Sequence, residues 1–435
     1  MDKKPLTIFW FRRDLRLHDN AGLYRALKSG NTVLCLFIFD KEILDHLEDR
    51  DDARVTFIYN QIEAIDKELQ NHGSSLLLKY DKPANAWKEI INDYDVAAVY
   101  TNHDYEPYAK KRDAELGSFL AQHQIEFKTF KDQVILEGQE VVKDDKTPYT
   151  VFTPYKKRWL NNLTSFHLKA YPTEKYFTNF YKTQPLKDIT LQQMGFIESE
   201  AVFPPIEYKS VIEDYAKKRD FPAIKGTSHV ALHLRFGTVS IRQLVTEATQ
   251  YPERTWLSEL IWREFYMMSL DFFPQTIDSA YRPEYDRIAW RNNQKEFEAW
   301  CHGKTGYPLV DAGMRELNAT GFMHNRVRMV VASLLVKHLL IDWRWGEHYF
   351  ARKLLDYDAS ANVGNWQWVA GSGTDTMPYF RIFNPDSQLT KFDPKMEYIK
   401  KWVPEYGTSQ YPEPIVDNTE ARARCLKAYK QALGR

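Results

Sequence analysis

Residues 6–40 read LTIFWFRRDLRLHDNAGLYRALKSGNTVLCLFIFD. Runs of apolar, β-prone residues at 6–11 and 32–40 flank an amphipathic helical pattern at 21–28. A strand, a helix and a second strand in this order form a βαβ unit, in which the two strands lie parallel in one sheet. The segment therefore predicts an α/β domain at the start of the chain.

Further β-rich runs continue the alternation, with SLLLKY at 75–80, VAAVYT at 96–101 and EFKTF at 126–130. Helical patterns separate the runs at 53–71, 84–92 and 107–123. We predict a Rossmann-like parallel α/β domain over residues 1–130, with a ligand crevice at the carboxyl ends of its strands. No GxGxxG follows the first strand, so nothing marks this crevice as a dinucleotide site.

The rest of the chain has a different character. Residues 131–195 are rich in Lys, Thr and Tyr and have weak periodicity, which predicts an interdomain connector. From 196 to 435 the patterns are helical and aromatic-rich, and ten of the twelve Trp lie beyond residue 150. We therefore predict an all-α domain at 196–435, which gives a fold class of an α/β domain followed by an all-α domain.

The charge composition limits how the chain could bind nucleic acid. The 59 Lys and Arg equal the 59 Asp and Glu, so no net field attracts the protein to DNA or to an anionic membrane. Any DNA affinity must come from a local surface. Segment 321–353 has six Lys or Arg against two acidic residues, which indicates either a DNA-binding surface or a solvated helix face.

The cysteines and the N-terminus indicate a cytoplasmic protein. Cys35, Cys301 and Cys425 are scattered and form no CxxC pair, which argues against a disulfide framework, a structural zinc or an iron–sulfur cluster. The apolar run at the N-terminus has only six residues, too few for a signal peptide, and no later run is long enough to span a membrane.

Segment 256–270, WLSELIWREFYMMSL, places three chemically distinct side chains on one helical face. Glu259, Trp262 and Arg263 stand at positions i, i+3 and i+4. One interpretation is an amphipathic helix with an internal ion pair. The other is a pocket wall that stacks on an extruded nucleobase and hydrogen-bonds its edge.

Segment 323–340, MHNRVRMVVASLLVKHLL, places Asn325, Arg328 and Met329 on one face of an otherwise apolar helix. A guanidinium in such a setting needs a partner, and Asp356 and Asp358 are the candidates. The resulting salt bridge could be structural or could also serve ligand binding.

Two loop segments contain further candidates. Residues 356–385 combine the turn-forming residues Gly, Ser and Asn with Trp366, Trp368 and Arg381, and aromatic-rich loops often bind ligands. In GTSHVALHLRFGTVS at 226–240, Thr227 and Ser228 precede a helical pattern, so their hydroxyls could bind a phosphate or act as N-caps.

With these clusters in this order, the sequence resembles the photolyase and cryptochrome family, from FWFRRDLRLHDN at 9–20 to YIKKWVPE at 398–405. The long signatures WCHGKTGYPLVDAGMRELNATGFMHNRVRM at 300–329 and NWQWVAGSGTDTMPYFRIFNP at 365–385 are specific. The resemblance implies an α/β antenna domain joined to a helical flavin domain. MHNRVRM is most similar to the class I cyclobutane pyrimidine dimer enzymes, because Asn325 stands where (6-4) photoproduct enzymes have His.

The resemblance also implies roles for individual residues. Flavin contacts are implied for Tyr215, Thr227, Ser228, Trp256, Arg263, Asn325, Arg328, Asp356, Asp358 and Asn362. DNA or lesion contacts are implied for Arg219, Glu259, Trp262, Arg326, Met329, Trp368 and Arg381. The resemblance implies catalytic roles for two of these residues. Glu259 would contact the dimer, and Asn362 would lie at the reactive flavin nitrogen. An electron relay is implied through Trp366, then Trp343, then Trp290.

The implied cofactor is reduced, anionic FAD, which on excitation by light donates an electron that splits a cyclobutane pyrimidine dimer in DNA and then returns. The implied protein is a monomer. The first domain would bind a folate, a deazaflavin, a second flavin or no antenna chromophore, and Glu106 is a folate-type feature. Ala231 and Leu232 stand where the family has Ser and Pro, which removes one hydroxyl contact to the flavin pyrophosphate. Phe322 replaces a common Trp.

Three alternatives remain at this point. A cryptochrome-like photoreceptor would keep the flavin and the tryptophan relay, but signalling members often have a long tail, whereas this sequence stops about 30 residues after WVPE. Repair of (6-4) photoproducts is the second alternative. A flavin-dependent oxidoreductase that works in the dark is the third, and it has no support beyond flavin binding.

Overall fold

The computed structural model describes residues 5–434. Residues 1–4, which begin the segment compared above with a signal peptide, lie outside the described residues, as does Arg435. Contacts group the chain into two compact units. The α/β unit comprises Met1–Glu140, Asn162–Ile206 and Val230–Gln250, and the helical unit comprises Val141–Asn161, Glu207–His229 and Tyr251–Arg435.

Five parallel strands form the sheet of the α/β unit: β1 Leu6–Phe11, β2 Thr32–Asp40, β3 Leu77–Asp81, β4 Val96–Asn102 and β5 Glu126–Phe130. Their order is β3-β2-β1-β4-β5. The register pairs Leu6 with Thr32 and Phe11 with Phe37. Every residue of β1 is buried, which is why this strand is a continuous apolar run and does not alternate.

The first ten helices are α1 Ala21–Leu27, α2 Lys41–Leu44, α3 Ala53–Asn71, α4 Pro83–Asp93, α5 Pro107–Gln122, α6 Phe152–Asn162, α7 Lys209–Ile212, α8 Tyr215–Lys218, α9 Ala231–Phe236 and α10 Ile241–Gln250. The other nine are α11 Thr255–Phe272, α12 Gln294–Cys301, α13 Pro308–Thr320, α14 Asn325–Ser333, α15 Trp343–Lys353, α16 Ala359–Ala370, α17 Pro385–Phe392, α18 Glu397–Trp402 and α19 Asn418–Ala432. Leu334–His338 forms a π-helical turn directly after α14.

The α/β unit includes α9 and α10, although the sequence patterns place these residues in the helical region. Arg242 holds α10 in this unit, because its guanidinium donates to the carboxylates of Asp132 and Asp19, each at 2.8 Å. Asp132 also accepts from Arg16 at 2.6 Å. The fold class is confirmed, whereas the domain boundaries at 130 and 195 stay predictions, because contact grouping does not show which segments fold independently.

A large apolar cluster lies in the core of the helical unit. It includes Trp300, Val331, Leu335, Trp343 and Trp366, all at most 2% exposed. Within residues 5–434, no helix is long and apolar enough to cross a membrane. The three cysteines are buried and free.

Candidate functional site

A cavity open to solvent, with about 580 Å³ of empty volume, lies in the helical unit beside α14 and α16. The cavity brings together eight of the predicted flavin, lesion and relay residues: Asn325, Arg328, Met329, Asp356, Asp358, Asn362, Trp366 and Trp368. Amides, paired charges and indole walls around one space suit a flat heteroaromatic ring with a hydrogen-bonding edge.

Arg328 forms the salt bridge predicted for it. Its Nη2 donates to both carboxylate oxygens of Asp356, at 2.9 and 3.1 Å, and its Nε donates to the carbonyl of Met323 at 2.7 Å. Asp358 instead caps α16, because its carboxylate accepts hydrogen bonds from the backbone N–H groups of Ser360 and Ala361. Asp356 is therefore the partner of Arg328, and the pair lines the cavity.

Asn362 is oriented by Glu347, a residue that the sequence analysis did not single out. Its Nδ2 donates to Oε1 of Glu347 at 2.9 Å and to the carbonyl of Glu347 at 3.2 Å. Both amide protons are thereby used, so within residues 5–434 the amide oxygen is the part of the side chain left for a ligand. Burial raises the pKa of Glu347, and the hydrogen bond from Asn362 opposes that rise.

A second cluster surrounds Glu259 on α11. Glu259 forms an ion pair with Arg219, which follows α8, and the Arg219 guanidinium lies 5.3 Å from the ring centre of Tyr215. Burial raises the pKa of Glu259, and the Arg219 charge opposes that rise. The ion pair of Glu259 is therefore formed with Arg219, which follows a separate helix.

Trp262 lies within an aromatic group that leads to the cavity. Phe152 stacks on its indole with ring centres 3.6 Å apart and planes 8° apart, and Tyr266 stacks at 5.4 Å. The Tyr266 hydroxyl donates to Oδ1 of Asn365, which lines the cavity, at 3.3 Å. A Cβ at Gly364 would lie 2.2 Å from the Tyr266 ring, so only glycine lets α11 and α16 approach this closely.

The remaining lesion residues are less tightly grouped. Arg326 pairs with Asp220 at 2.7 Å, and its guanidinium lies 4.5 Å from the ring centre of Phe392. Arg381 is exposed and follows the exposed Phe380. The structure thus pairs Glu259 with Arg219, and Oδ1 of Asp220, which lies 4.0 Å from Nε of Arg219, links Arg326 to that pair.

The predicted flavin residues outside the cavity lining lie on three segments. Trp256 is 3% exposed and stacks on Tyr208 with ring centres 5.5 Å apart. Thr227 and Ser228 lie in a partly exposed loop, and α9 has Val230 at its N-cap with no side-chain bond, so the N-cap interpretation of the two hydroxyls is wrong. Tyr215 begins α8, and Arg263 lies on α11.

The three relay tryptophans belong to one apolar cluster. Trp366 and Trp343 are each 2% exposed within the core of the helical unit, and the partly buried Trp290 packs against the same core. A Cβ at Gly346 would lie 2.1 Å from the Trp366 ring, so glycine at this position of α15 makes the placement of that indole sterically feasible. Trp290 is the most exposed of the three, and the electron-transfer role and the order of the relay stay predictions.

Comparison with known proteins identifies the family. Residues 7–175 match the model of DNA photolyase, and residues 256–409 match the FAD binding domain of DNA photolyase. A deoxyribodipyrimidine photo-lyase of Salmonella typhimurium is 37% identical over 98% of this chain and 99% of its own length. The chain belongs to the DNA photolyase family. The enzyme of Escherichia coli with the same name is 36% identical over 98% of both chains.

Solved photolyase structures share the fold. A class III photolyase from Agrobacterium tumefaciens superposes with a TM-score of 0.88 at 31% identity, covering 100% of this chain and 99% of the other. A photolyase from Sulfolobus tokodaii with two FAD molecules gives 0.81 at 34% identity, covering 98% and 100%. A Synechocystis cryptochrome gives 0.85 at 25% identity, covering 98% and 100%. The predicted photolyase resemblance is confirmed, and the particular similarity to class I enzymes stays a prediction.

The cavity fits the cofactor of this family. Its lining residues, from Asn325 to Val369, all fall within the matched FAD-binding domain. The Arg328 cation, the amides of Asn325 and Asn362 and the two indoles supply charge, hydrogen bonds and aromatic walls for a dinucleotide with a flat ring. Within residues 5–434, no cluster of three His, Cys, Asp or Glu side chains could hold a metal ion.

Proposed function

We propose that this chain is a deoxyribodipyrimidine photolyase that repairs cyclobutane pyrimidine dimers in DNA with reduced FAD and light. The observation that supports it best is one cavity lined both by flavin-type residues, Arg328 and Asn362, and by lesion-type residues, Met329 and Trp368. Two relatives that match 98% of this chain are named for this activity. In this proposal the protein acts as a monomer in the cytoplasm, and its substrate is damaged DNA.

Bound FAD in its reduced, anionic form supplies the electron that splits the dimer after excitation by light. The chain contributes the geometry and the fixed charges around the reaction. Arg328, locked by Asp356, holds a positive charge at the cavity wall. Asn362 presents its amide oxygen, so it accepts a hydrogen bond and favours a ligand with an N–H at that position.

Glu259 and the two indoles recognise the lesion in this proposal. Arg219 fixes the Glu259 carboxylate, whose free oxygen can accept a hydrogen bond from a pyrimidine edge. Trp262 and Trp368 offer stacking surfaces for a base that has been flipped out of the helix, and the weakened pairing of a dimer lowers the cost of flipping. Met329, which lines the cavity as Trp368 does, adds an apolar surface to it.

DNA binding must depend on local cations, because the chain has no net charge. Arg326 and Arg381 are the proposed phosphate and lesion contacts. Arg326 is held by Asp220 at 2.7 Å, which leaves part of its guanidinium for a phosphate oxygen. Affinity for both damaged and undamaged DNA should therefore fall with salt.

The antenna chromophore of the α/β unit remains a separate matter. Oε1 of Glu106, the folate-type feature, accepts from Arg13 at 2.7 Å and from Arg235 at 2.8 Å. Both guanidinium groups bind Oε1, so Oε2 of this carboxylate can accept from a folate without displacing either of them. The Sulfolobus photolyase with two FAD molecules makes a flavin the alternative, which extraction and chromatography of the purified protein's chromophores would test.

A light-driven repair assay tests the proposal. Purified, chemically reduced protein is incubated with a thymine-dimer oligonucleotide under blue light and in the dark, and recovered thymine absorbance is measured. We expect recovery only in the light, and a much slower recovery in Glu259→Gln with FAD absorbance unchanged. Recovery only from a (6-4) oligonucleotide would reassign the specificity. No recovery from either oligonucleotide by flavin-loaded protein would favour the alternative of a cryptochrome-like photoreceptor.

A further inference from the structure

Phe152 is the first residue of α6, in a segment that the sequence analysis assigned to a connector. Its ring lies flat on the Trp262 indole, 3.6 Å between centres, and only 8% of the residue is exposed. Trp262 itself stays partly exposed. Phe152 therefore covers one face of this indole, Tyr266 and Phe265 pack against it with ring centres 5.4 and 5.5 Å away, and the part of the ring that stays exposed is the part that an extruded base can meet.

We propose that Phe152 is a positioning residue for lesion recognition, which covers one face of Trp262 and so fixes the indole in the orientation that an extruded pyrimidine meets. The inference rests on the proposed function, since it assigns Trp262 to the lesion pocket. An unsupported indole can rotate about two side-chain torsions, and that freedom is lost when a base binds. A ring fixed beforehand avoids this loss.

Helix α6 is anchored to α11 along one face, which makes Phe152 a rigid support. Trp159 donates from Nε1 to Oε2 of Glu264 at 2.6 Å, and Glu264 is fully buried. Lys156 donates to the Ser258 hydroxyl at 2.5 Å. Positions 152, 156 and 159 follow helical spacing, so these contacts lie on the face that also presents Phe152.

The loop after α16 holds the start of α6 in place. The backbone N–H of Asp375 donates to the carbonyl of Thr150 at 2.8 Å, and the Asp375 carboxylate accepts from the backbone N–H of Phe152. Asp375 has a φ of 44°, in the left-handed region. This reciprocal pair works as an N-cap supplied by another segment, and it fixes the residue that supports Trp262.

The test measures dark binding to two oligonucleotides of one sequence, with and without a single thymine dimer, by fluorescence anisotropy. We expect Phe152→Ala to raise Kd for the damaged oligonucleotide by about 2- to 10-fold, the range of one aromatic stacking interaction. Kd for undamaged DNA should not change. Phe152→Tyr should restore the wild-type Kd, and Asp375→Ala should weaken damaged-DNA binding in the same direction while the Phe152 ring is kept.

Tyr155→Phe is the matched control. Tyr155 lies on the same helix and packs edge-on against Phe265 at 5.2 Å, and its buried hydroxyl has no hydrogen-bond partner among the described residues. Its Kd values should equal those of the wild type. Folding is checked by circular dichroism and FAD absorbance, and if Phe152→Ala does not fold, Phe152→Leu and Asp375→Ala provide the measurement.

The inference is overturned if folded Phe152→Ala binds damaged DNA as the wild type does, or loses affinity equally for both oligonucleotides. Tighter binding of damaged DNA would overturn it as well, because Phe152 would then occupy the place of the base. Failure of the proposed function would look different: the wild-type protein itself would not distinguish the two oligonucleotides.

Discussion

Lys337, in the π-helical turn after α14, is a fully buried cation whose removal has a calculable effect. Its ammonium donates to the carbonyls of Ala370 at 2.9 Å and Tyr379 at 3.3 Å and lies 4.0 Å from the ring centre of Tyr429. Among residues 5–434 no carboxylate pairs with it, and the only titratable neighbour that affects it is the Cys425 thiol. Burial lowers the pKa of Lys337 from 10.5 to about 8.

The lowered pKa defines a pH window. Below pH ~8 both folded and unfolded states are protonated, and the folded state is destabilised by about 3 kcal/mol relative to a lysine with an ordinary pKa. As the pH rises through the folded pKa, the native protein loses this proton before the unfolded chain does, so the unfolded chain binds more protons and stability increases. Between about pH 7 and about pH 9.5 the gain is about 2 kcal/mol.

Lys337→Met should abolish this gain. Methionine fills a similar space without a charge. The Ala370 carbonyl keeps its bond from the Tyr429 hydroxyl at 2.9 Å, and the Tyr379 carbonyl loses a donor, which adds an offset that does not vary with pH. Wild-type stability should therefore rise by about 2 kcal/mol relative to the variant across that window.

Urea unfolding followed by tryptophan fluorescence measures the difference, since ten of the twelve Trp lie in the helical unit. Groups that titrate in both proteins change the free energy of unfolding equally, so their contributions cancel in the difference between wild type and variant. Lys400→Met, at an exposed position, controls for the loss of any lysine. Parallel stability curves for the wild type and Lys337→Met from about pH 7 to about pH 9.5 would refute the reasoning, because Lys337 would then have an ordinary pKa.

Three other outcomes follow from the site. In the wild type, protonating Glu347 as the pH falls through its raised pKa should weaken its hold on Asn362 and slow repair, whereas Glu347→Gln should give a flatter pH–rate profile at equal FAD occupancy. Gly346→Ala should lower the free energy of unfolding by about 1–3 kcal/mol, measured by urea titration, because the added methyl overlaps Trp366. Arg326→Ala should reduce the slope of log Kd against log salt by about 1 on damaged and undamaged DNA alike.

Local patterns predicted the elements of the α/β unit closely. Helix α3 has the predicted bounds of 53–71, and β1, β2 and β5 match theirs, because burial on both sides keeps these runs apolar and turns separate them cleanly. The third strand begins at Leu77 instead of residue 75. The Ser75 hydroxyl donates to Asp66 at 2.9 Å, a side-chain contact that periodicity does not report.

The site was predicted only where its members share a helix or a signature. Arg328 was assigned a nearby carboxylate because a guanidinium in an apolar helix requires one. Glu347 and Phe152 were missed for a common reason: their partners, Asn362 and Trp262, are distant in sequence, and nothing local distinguishes them from ordinary helix residues. An acid on the buried face of α15 was the one available signal for Glu347.

The interleaving of the two units bears on how the chain can be synthesised and divided. The α/β unit uses residues as late as Gln250, so a ribosome must have released more than half of the chain before that unit has all its parts. The helical unit in turn begins at Val141 and needs the C-terminal helices. Splitting the gene at any single codon therefore leaves at least one unit without a native segment, and recombination that exchanges whole units between relatives would need several crossover points.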